Sequence, residues 1–170
     1  PRDKCKKLYT EYLNFEKEHG TKQDIDDVIL GERRTHYKEL LSQNSLNYDA
    51  WINLTLLEES TGNVAKAREV YEAAVKETPP AKEKRFWRRY IYLWYNYAIF
   101  EEQVAKDLLK ANEVYERALA LVPHKIYTLS QLWVNYAHFH LRCADLDKAR
   151  KIFGTAIGKC AREKLFRNYI

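Results

Sequence analysis

The chain has 170 residues, of which 5 are glycine and 4 are proline, too few turn-formers for the many tight turns of a sandwich or a barrel. Its 46% hydrophobic and 31% charged residues exclude a disordered chain, which could not bury enough apolar surface to offset its ordering entropy. The net charge is a modest +5, from 29 Lys and Arg against 24 Asp and Glu, and the expectation is an all-α fold.

The first helix signal is Tyr9-Thr10-Glu11-Tyr12-Leu13-Asn14-Phe15-Glu16, with large apolar residues at 0, +3, +4 and +6 and Glu at +7. Offsets 0, +3, +4 and +7 share one face of a helix of period 3.6. A second helix is predicted from about Asp24 to Gln43. The string Thr21-Lys22-Gln23-Asp24-Ile25-Asp26-Asp27 opens it with acids in the first turn, and it carries Arg34-Thr35-His36-Tyr37-Lys38-Glu39-Leu40-Leu41. The first frame returns at Trp51-Ile52-Asn53-Leu54-Thr55-Leu56-Leu57-Glu58. A polar connector, Ser60 to Asn63, leads to Ala67-Arg68-Glu69-Val70-Tyr71-Glu72-Ala73-Ala74-Val75 and then to Pro79.

Further on, Trp87, Tyr90, Trp94, Tyr97 and Glu101 fall at 0, +3, +7, +10 and +14, which predicts one long helix from about Lys82 to Gln103. The second phrase recurs as Ala111-Asn112-Glu113-Val114-Tyr115-Glu116-Arg117-Ala118-Leu119, followed by Pro123. Proline ends a helix because it has no amide hydrogen to donate. Trp133-Val134-Asn135-Tyr136-Ala137-His138-Phe139-His140 opens the last full copy, which continues through Ala144-Asp145 to Ala149-Arg150-Lys151-Ile152-Phe153-Gly154-Thr155-Ala156-Ile157. Phe166, Tyr169 and Ile170 fit offsets 0, +3 and +4 of a fifth copy.

Tyr9, Trp51, Trp94 and Trp133 therefore open helix A of successive repeats, 42, 43 and 39 residues apart. Arg34, Arg68, Asn112 and Arg150 mark helix B, with Tyr37, Tyr71, Tyr115 and Phe153 three residues later. The two markers are separated by 25, 17, 18 and 17 residues, so the first repeat carries an insertion. The repeats span about 2–45, 47–79, 82–123 and 126–161, with a fifth starting at 163–170, in a single array. One helix pair cannot bury its own apolar face, so pairs stack. The expected product is a right-handed α-solenoid of antiparallel pairs. Tryptophan-slot residues fill the space between helices A and B, and Ala74, Ala118 and Ala156 permit close approach. A chain that starts at Pro1 and has no methionine reads as a segment of something longer.

These marks resemble the half-a-tetratricopeptide (HAT) repeat: the Trp, aromatic and Glu of helix A, the Arg-x-x-Tyr and Ala of helix B, and the trailing proline. The resemblance extends to the Crooked neck family over essentially the whole chain. It is carried by Glu83-Lys84-Arg85-Phe86-Trp87-Arg88-Arg89-Tyr90-Ile91-Tyr92-Leu93-Trp94, Val122-Pro123-His124-Lys125 and Gly154-Thr155-Ala156-Ile157-Gly158-Lys159-Cys160. It implies a nuclear scaffold of the spliceosomal nineteen complex in pre-mRNA splicing. The implied partners are other complex members, including a Myb-domain protein and a second HAT scaffold. HAT scaffolds also serve 3′-end cleavage and ribosomal RNA maturation, and these remain alternatives. Asn112 in an Arg slot and His140 in a Glu slot depart from the pattern, which leaves Glu16 with Arg34 and Glu58 with Arg68 as possible bridges.

The candidate contact residues are Lys82, Lys84, Arg85, Phe86, Arg88 and Arg89, which with Glu83 place +4 within ten residues. They could meet RNA phosphates or an acidic helix, or form a solvated helix face. Trp87 and Tyr90 belong to the core stripe, so Phe86 is the better exposed aromatic. Gly154-x-x-x-Gly158 suggests close approach of the next helix, since a membrane dimer motif does not suit a soluble repeat. His138 and His140 point about 200° apart on a helix and cannot share an ion. Three scattered cysteines, Cys5, Cys143 and Cys160, fit a reducing compartment and no zinc set. No cofactor, membrane span or small-molecule substrate is expected. Enzyme motifs such as a phosphate-cradling glycine loop or Gly-x-Ser-x-Gly are missing.

Overall fold

The computed structural model describes residues 2–80, 83–123, 126–127, 129–159 and 163–169, apart from the side chains at 2–6, 16–17, 22, 164 and 169. The described residues are helical throughout their regular structure. The helices are α1 Arg2–His19, α2 Lys22–Gln43, α3 Tyr48–Ser60, α4 Val64–Lys76, α5 Lys84–Ile99, α6 Leu108–Leu121, α7 Ser130–Arg142, α8 Leu146–Lys159 and α9 Glu163–Tyr169. The chain divides into two compact units, residues 1–70 and 71–170, with the division inside α4. No described helix is long and apolar enough to cross a membrane.

In the first unit α2 packs on α1 and on α3. Its start is set by a reciprocal cap: the Thr21 hydroxyl accepts from the Asp24 amide, and the Asp24 carboxylate accepts from the Thr21 amide at 3.0 Å. That cap places the first residue at Lys22, two ahead of the expected Asp24, and the helix runs to Gln43. The core here is Leu41, Ala50, Leu54 and Leu57, with Leu30, Tyr37, Leu40, Trp51 and Val70 packed against it. Tyr9 does not fill an inter-helix space as its slot predicts. It stays 38% exposed beside Leu8, Tyr12 and Phe15, because its main neighbour, α2, covers only part of the apolar face of α1. Its hydroxyl donates to the Val28 carbonyl at 3.2 Å.

In the second unit α5 packs on α6, α7 on α8, and α9 on both α7 and α8. Trp94 and Trp133 are buried, as are Ala74, Ala118 and Ala156. Pro79 and Pro123 follow the ends of α4 at Lys76 and α6 at Leu121. The long helix expected to run to Gln103 instead changes at Phe100–Val104 into a π-helical turn. One extra residue is the cause. From the Trp slot to the cap of helix B is 12 residues at Trp51–Asn63 and Trp133–Asp145, but 13 at Trp94–Asp107. The helix absorbs it by widening, with the Ala105 amide reaching back to the Phe100 carbonyl at 3.0 Å.

The expected close approach at Gly154 and Gly158 is not found: beyond the local backbone of the helix itself, no described atom lies within 4 Å of where a Cβ would sit on either. α8 buries Ala149, Phe153 and Ala156, and both glycines lie away from that face.

One local device joins helix A to helix B three times. A residue at positive φ is followed by an Asx cap: Gly62 (72°) before Asn63, Lys106 (56°) before Asp107, and Ala144 (59°) before Asp145. Each Asx Oδ1 accepts an amide three residues on, from Lys66, Lys110 and Lys148, all at 3.0 Å. Only the first site has the residue that the left-handed region favours. The strain at Ala144 outweighs the extra unfolded-state freedom that glycine brings, so Ala144→Gly should raise stability by about 0.5 kcal/mol and Gly62→Ala should lower it by about 1 kcal/mol. Denaturant midpoints at unchanged slope read both.

Candidate functional site

Two features of the molecule depend on residues from more than one helix or face: the joints between successive repeats, and the two faces of α5. Each joint starts from the aromatic of a helix B. In the first unit Tyr37 of α2 packs against the cluster of Leu41, Ala50, Leu54 and Leu57. In the second, Tyr71 of α4 stacks on Tyr97 at 4.7 Å and lies against Phe100 at 5.4 Å. Tyr115 of α6 meets Tyr136 at 5.2 Å and Phe139 at 5.5 Å in α7. In both of these the receiving positions are +3 and +6 from the Trp slot, the register that Leu54 and Leu57 hold after Trp51. A helix-B aromatic is thus held in a fork on the next helix A.

Polar clamps sit beside these forks. Arg34 grips the carboxylate of Glu58 with two donors, Nε to Oε1 and Nη2 to Oε2, the latter at 2.9 Å. Glu58 is 2% exposed, and its hydrogen bonds raise the pKa of Arg34 above the ordinary value. The bridge found on Glu58 therefore runs between repeats, where pairing within one had been the expectation. Arg34 reaches across because helix B faces the following helix A at this level; the side chain of Glu16 lies outside the described residues.

Asn112 and His140 occupy the corresponding slots at the third joint, and they meet each other. His140 Nε2 lies 3.1 Å from Asn112 Oδ1. The same Oδ1 accepts from the Tyr136 hydroxyl at 2.9 Å, and Asn112 Nδ2 donates to Glu116 at 3.1 Å. With Oδ1 an acceptor, the imidazole carries its proton on Nε2. Burial, and then Lys148, push the His140 pKa below its usual value, so the neutral ring is favoured. The two departures from the repeat pattern form one substitution, a neutral hydrogen bond in place of an ion pair. Sequence reading noted each departure singly; their equal register was the signal that could have joined them.

A second acid recurs directly after the fork aromatic. Glu72 accepts the Tyr97 hydroxyl at 2.9 Å, and Glu116, 3.2 Å from the Tyr136 hydroxyl, shares its one proton with Asn112 Oδ1. Glu72 is also gripped by Arg117 at 2.8 and 3.0 Å, which holds its carboxyl below the usual range. The Arg117 guanidinium lies 5.2 Å from the Trp94 ring centre. Glu102, in the π turn, takes Arg142 at 2.6 and 2.7 Å. Of the remaining marker residues, Arg68 is half-buried. Arg150 is mostly exposed, with Asp147 at 4.0 Å. Phe153 is buried, with the His138 ring edge-on at 6.4 Å.

α5 has two unlike faces. Inward, Trp87, Tyr90, Trp94 and Tyr97 are buried in a ladder, with edge-on contacts of 5.7 Å from Trp87 to Tyr90 and 6.1 Å from Tyr90 to Trp94. Trp87 Nε1 donates to the Pro80 carbonyl at 3.1 Å, and the Tyr90 hydroxyl to that of Val75 at 2.6 Å. Both rings are core, as their stripe predicts. Outward, Lys84, Arg85, Arg88 and Arg89 are all exposed. Phe86, the expected exposed aromatic, is half-buried with contacts of its own, and Lys82 lies outside the described residues. The described His, Cys, Asp and Glu form no group of three that could hold a metal, and Cys143 is an exposed free thiol.

The chain matches the family described as pre-mRNA-splicing factor Syf1/CNRKL1 N-terminal HAT repeat, over residues 32–161. It is 45% identical over all 170 residues to Crooked neck-like protein 1 of Dictyostelium discoideum, of which it covers 24%. It is 46% identical over its full length to Protein crooked neck of Drosophila melanogaster, covering 24% of it. It is 47% identical to pre-mRNA-splicing factor clf1 of Aspergillus fumigatus, again end to end, covering 25%. The chain thus spans about a quarter of the length of these curated relatives.

Removing the cation from a buried clamp strands its partner. Arg34→Met should cost about 3 kcal/mol, and adding Glu58→Leu should recover most of that. At the third joint, His140→Glu alone places a buried carboxylate beside Glu116 with no cation in contact and should cost about 2 kcal/mol, while His140→Glu with Asn112→Arg should restore the pair with a coupling of about 2 kcal/mol. Denaturant titration of the four proteins of that cycle checks it; additive effects would refute the exchange.

Proposed function

We propose, because this chain belongs to the Syf1/CNRKL1 N-terminal HAT-repeat family, that it is the HAT segment of a nuclear scaffold acting in pre-mRNA splicing. The observation that carries this is the match of all 170 residues to proteins named as pre-mRNA-splicing factors, the irregular stretch before Trp94 included. That stretch separates the splicing reading from 3′-end cleavage or ribosomal RNA maturation, because a generic repeat array does not require it. The family is one of repeat scaffolds rather than a known enzyme class.

The work of such a segment is to hold surfaces in register. The forks and clamps supply the rigidity. Helix faces that the joints leave uncovered supply the contacts. On this reading the partners are proteins of the nineteen complex, among them a Myb-domain protein and a second HAT scaffold, and assembly with them occurs in the nucleus.

The test is affinity purification of the tagged protein from nuclear extract, with and without ribonuclease, read by mass spectrometry. Nineteen-complex proteins should be retained after ribonuclease. Recovery of cleavage or ribosome-maturation factors in their place would overturn the splicing assignment.

A further inference from the structure

We propose that the outward face of α5 binds single-stranded RNA, its cations engaging phosphates and Tyr92 stacking on a base. At 100° per residue, Lys84, Arg88, Tyr92, Arg85 and Arg89 fall in that order across an arc of about 140°. Trp87, Tyr90, Trp94 and Tyr97 lie on the opposite side and are buried. The four cations are exposed. Among the described residues Lys84, Arg85 and Arg88 make no ion pair. Tyr92 is 49% exposed, and its hydroxyl has no hydrogen bond among the described residues. It lies one turn beyond Arg88, about 6 Å along the axis, so a strand held by the cations runs on to the ring.

The fold does not ask for this charge. Cations at a helix start oppose the macrodipole. The first turn of α5 has no acid, and Glu83 at its cap position makes no side-chain capping hydrogen bond. Local electrostatics here work against stability, which points to an anionic partner. Between RNA and an acidic protein segment, the composition of the face favours RNA. A protein interface needs a desolvated centre depleted in charge, whereas this face is mostly cations around one aromatic ring. Single-strand sites combine a cationic track with a stacking platform. Three of the four cations are arginine, whose planar fork matches phosphate oxygens in pairs.

This deepens the splicing reading and is tested apart from it, on the purified chain. Anisotropy of a labelled uridine dodecamer is titrated over a range of salt, with a glutamate dodecapeptide as the competing anion. The chain should bind the RNA at low salt and ignore the peptide. Arg85→Glu with Arg88→Glu should weaken binding about ten-fold and flatten the log–log salt slope by about 0.7 for each phosphate no longer neutralised. Tyr92→Ala should lose about five-fold or more with the slope unchanged, and Tyr92→Phe should retain the affinity. The melting temperature of the double reversal should not fall, because acids suit that helix end. Equal binding of the peptide, an unchanged affinity on charge reversal, or no RNA binding at low salt would overturn the proposal. Loss of splicing proteins from the purification would sink only the scaffold reading, and RNA binding here would stand.

Discussion

The packing of the second unit depends first on the forks that receive Tyr71 and Tyr115. Two side chains at +3 and +6 of the following helix A create a slot, and the slot admits a ring at only one level. A ring buries 150–250 Å² and prefers offset or tilted neighbours, so this contact fixes both distance and height between adjacent helices. The near-parallel stack of Tyr71 on Tyr97, at 7° between planes, and the similar pair of Tyr115 and Tyr136 at 29°, show one solution used twice. In the first unit an aliphatic cluster of Leu41, Ala50, Leu54 and Leu57 takes Tyr37 against it, with aliphatic side chains where the second unit uses rings.

The polar groups beside the fork serve register more than net stability. Taking an ion pair out of water roughly offsets the attraction gained, so Arg34 with Glu58 adds little over an apolar pair of equal volume. A slip of one turn, however, would strand a buried carboxylate, and that penalty is large. The third joint reaches the same end without charge. Asn112 makes three contacts, to His140, Tyr136 and Glu116, and each constrains its amide plane. Complete satisfaction of a network of this kind rigidifies it. The clamp can thus change its chemistry while the register stays.

Helix identity and the packing faces were legible in the sequence because they are local and periodic. The Trp87–Tyr90–Trp94–Tyr97 stripe predicts a buried ladder, and the ladder is there. The caps at Asn63, Asp107 and Asp145 are equally local in cause, each needing only the amide three residues on, though in the sequence Asn63 and Asp145 read only as connector residues. The clamp partners were not legible, because a pairing between helices of different repeats has no signature in either phrase alone. Arg34 and Glu58 are 24 residues apart, and only the packing of α2 on α3 brings them together. The π turn had left a trace in the spacing of 18 where its neighbours have 17. That one-residue excess had no reading until a helix was seen to absorb it. The two glycines of α8 misled for a related reason: small residues permit close approach but do not cause it, and Ala149, Phe153 and Ala156 had already settled which face α7 meets.

The division of labour on α5 follows from these constraints. A helix that is held from one side by four aromatic rings has its position secured without help from its first turn. Its cap can then be poor and its start wrongly charged without loss of the fold, since tertiary packing supplies most of a helix's stability. Disagreement between local preference and global structure concentrates where function is served. In this chain that disagreement is sharpest at Lys84, Arg85 and Arg88, where an anionic ligand would relieve the repulsion that the fold tolerates. The aromatic ladder and the cationic face are therefore linked: burial on one side of the helix makes the charge on the other tolerable, and the same rigid helix presents that charge in a fixed array.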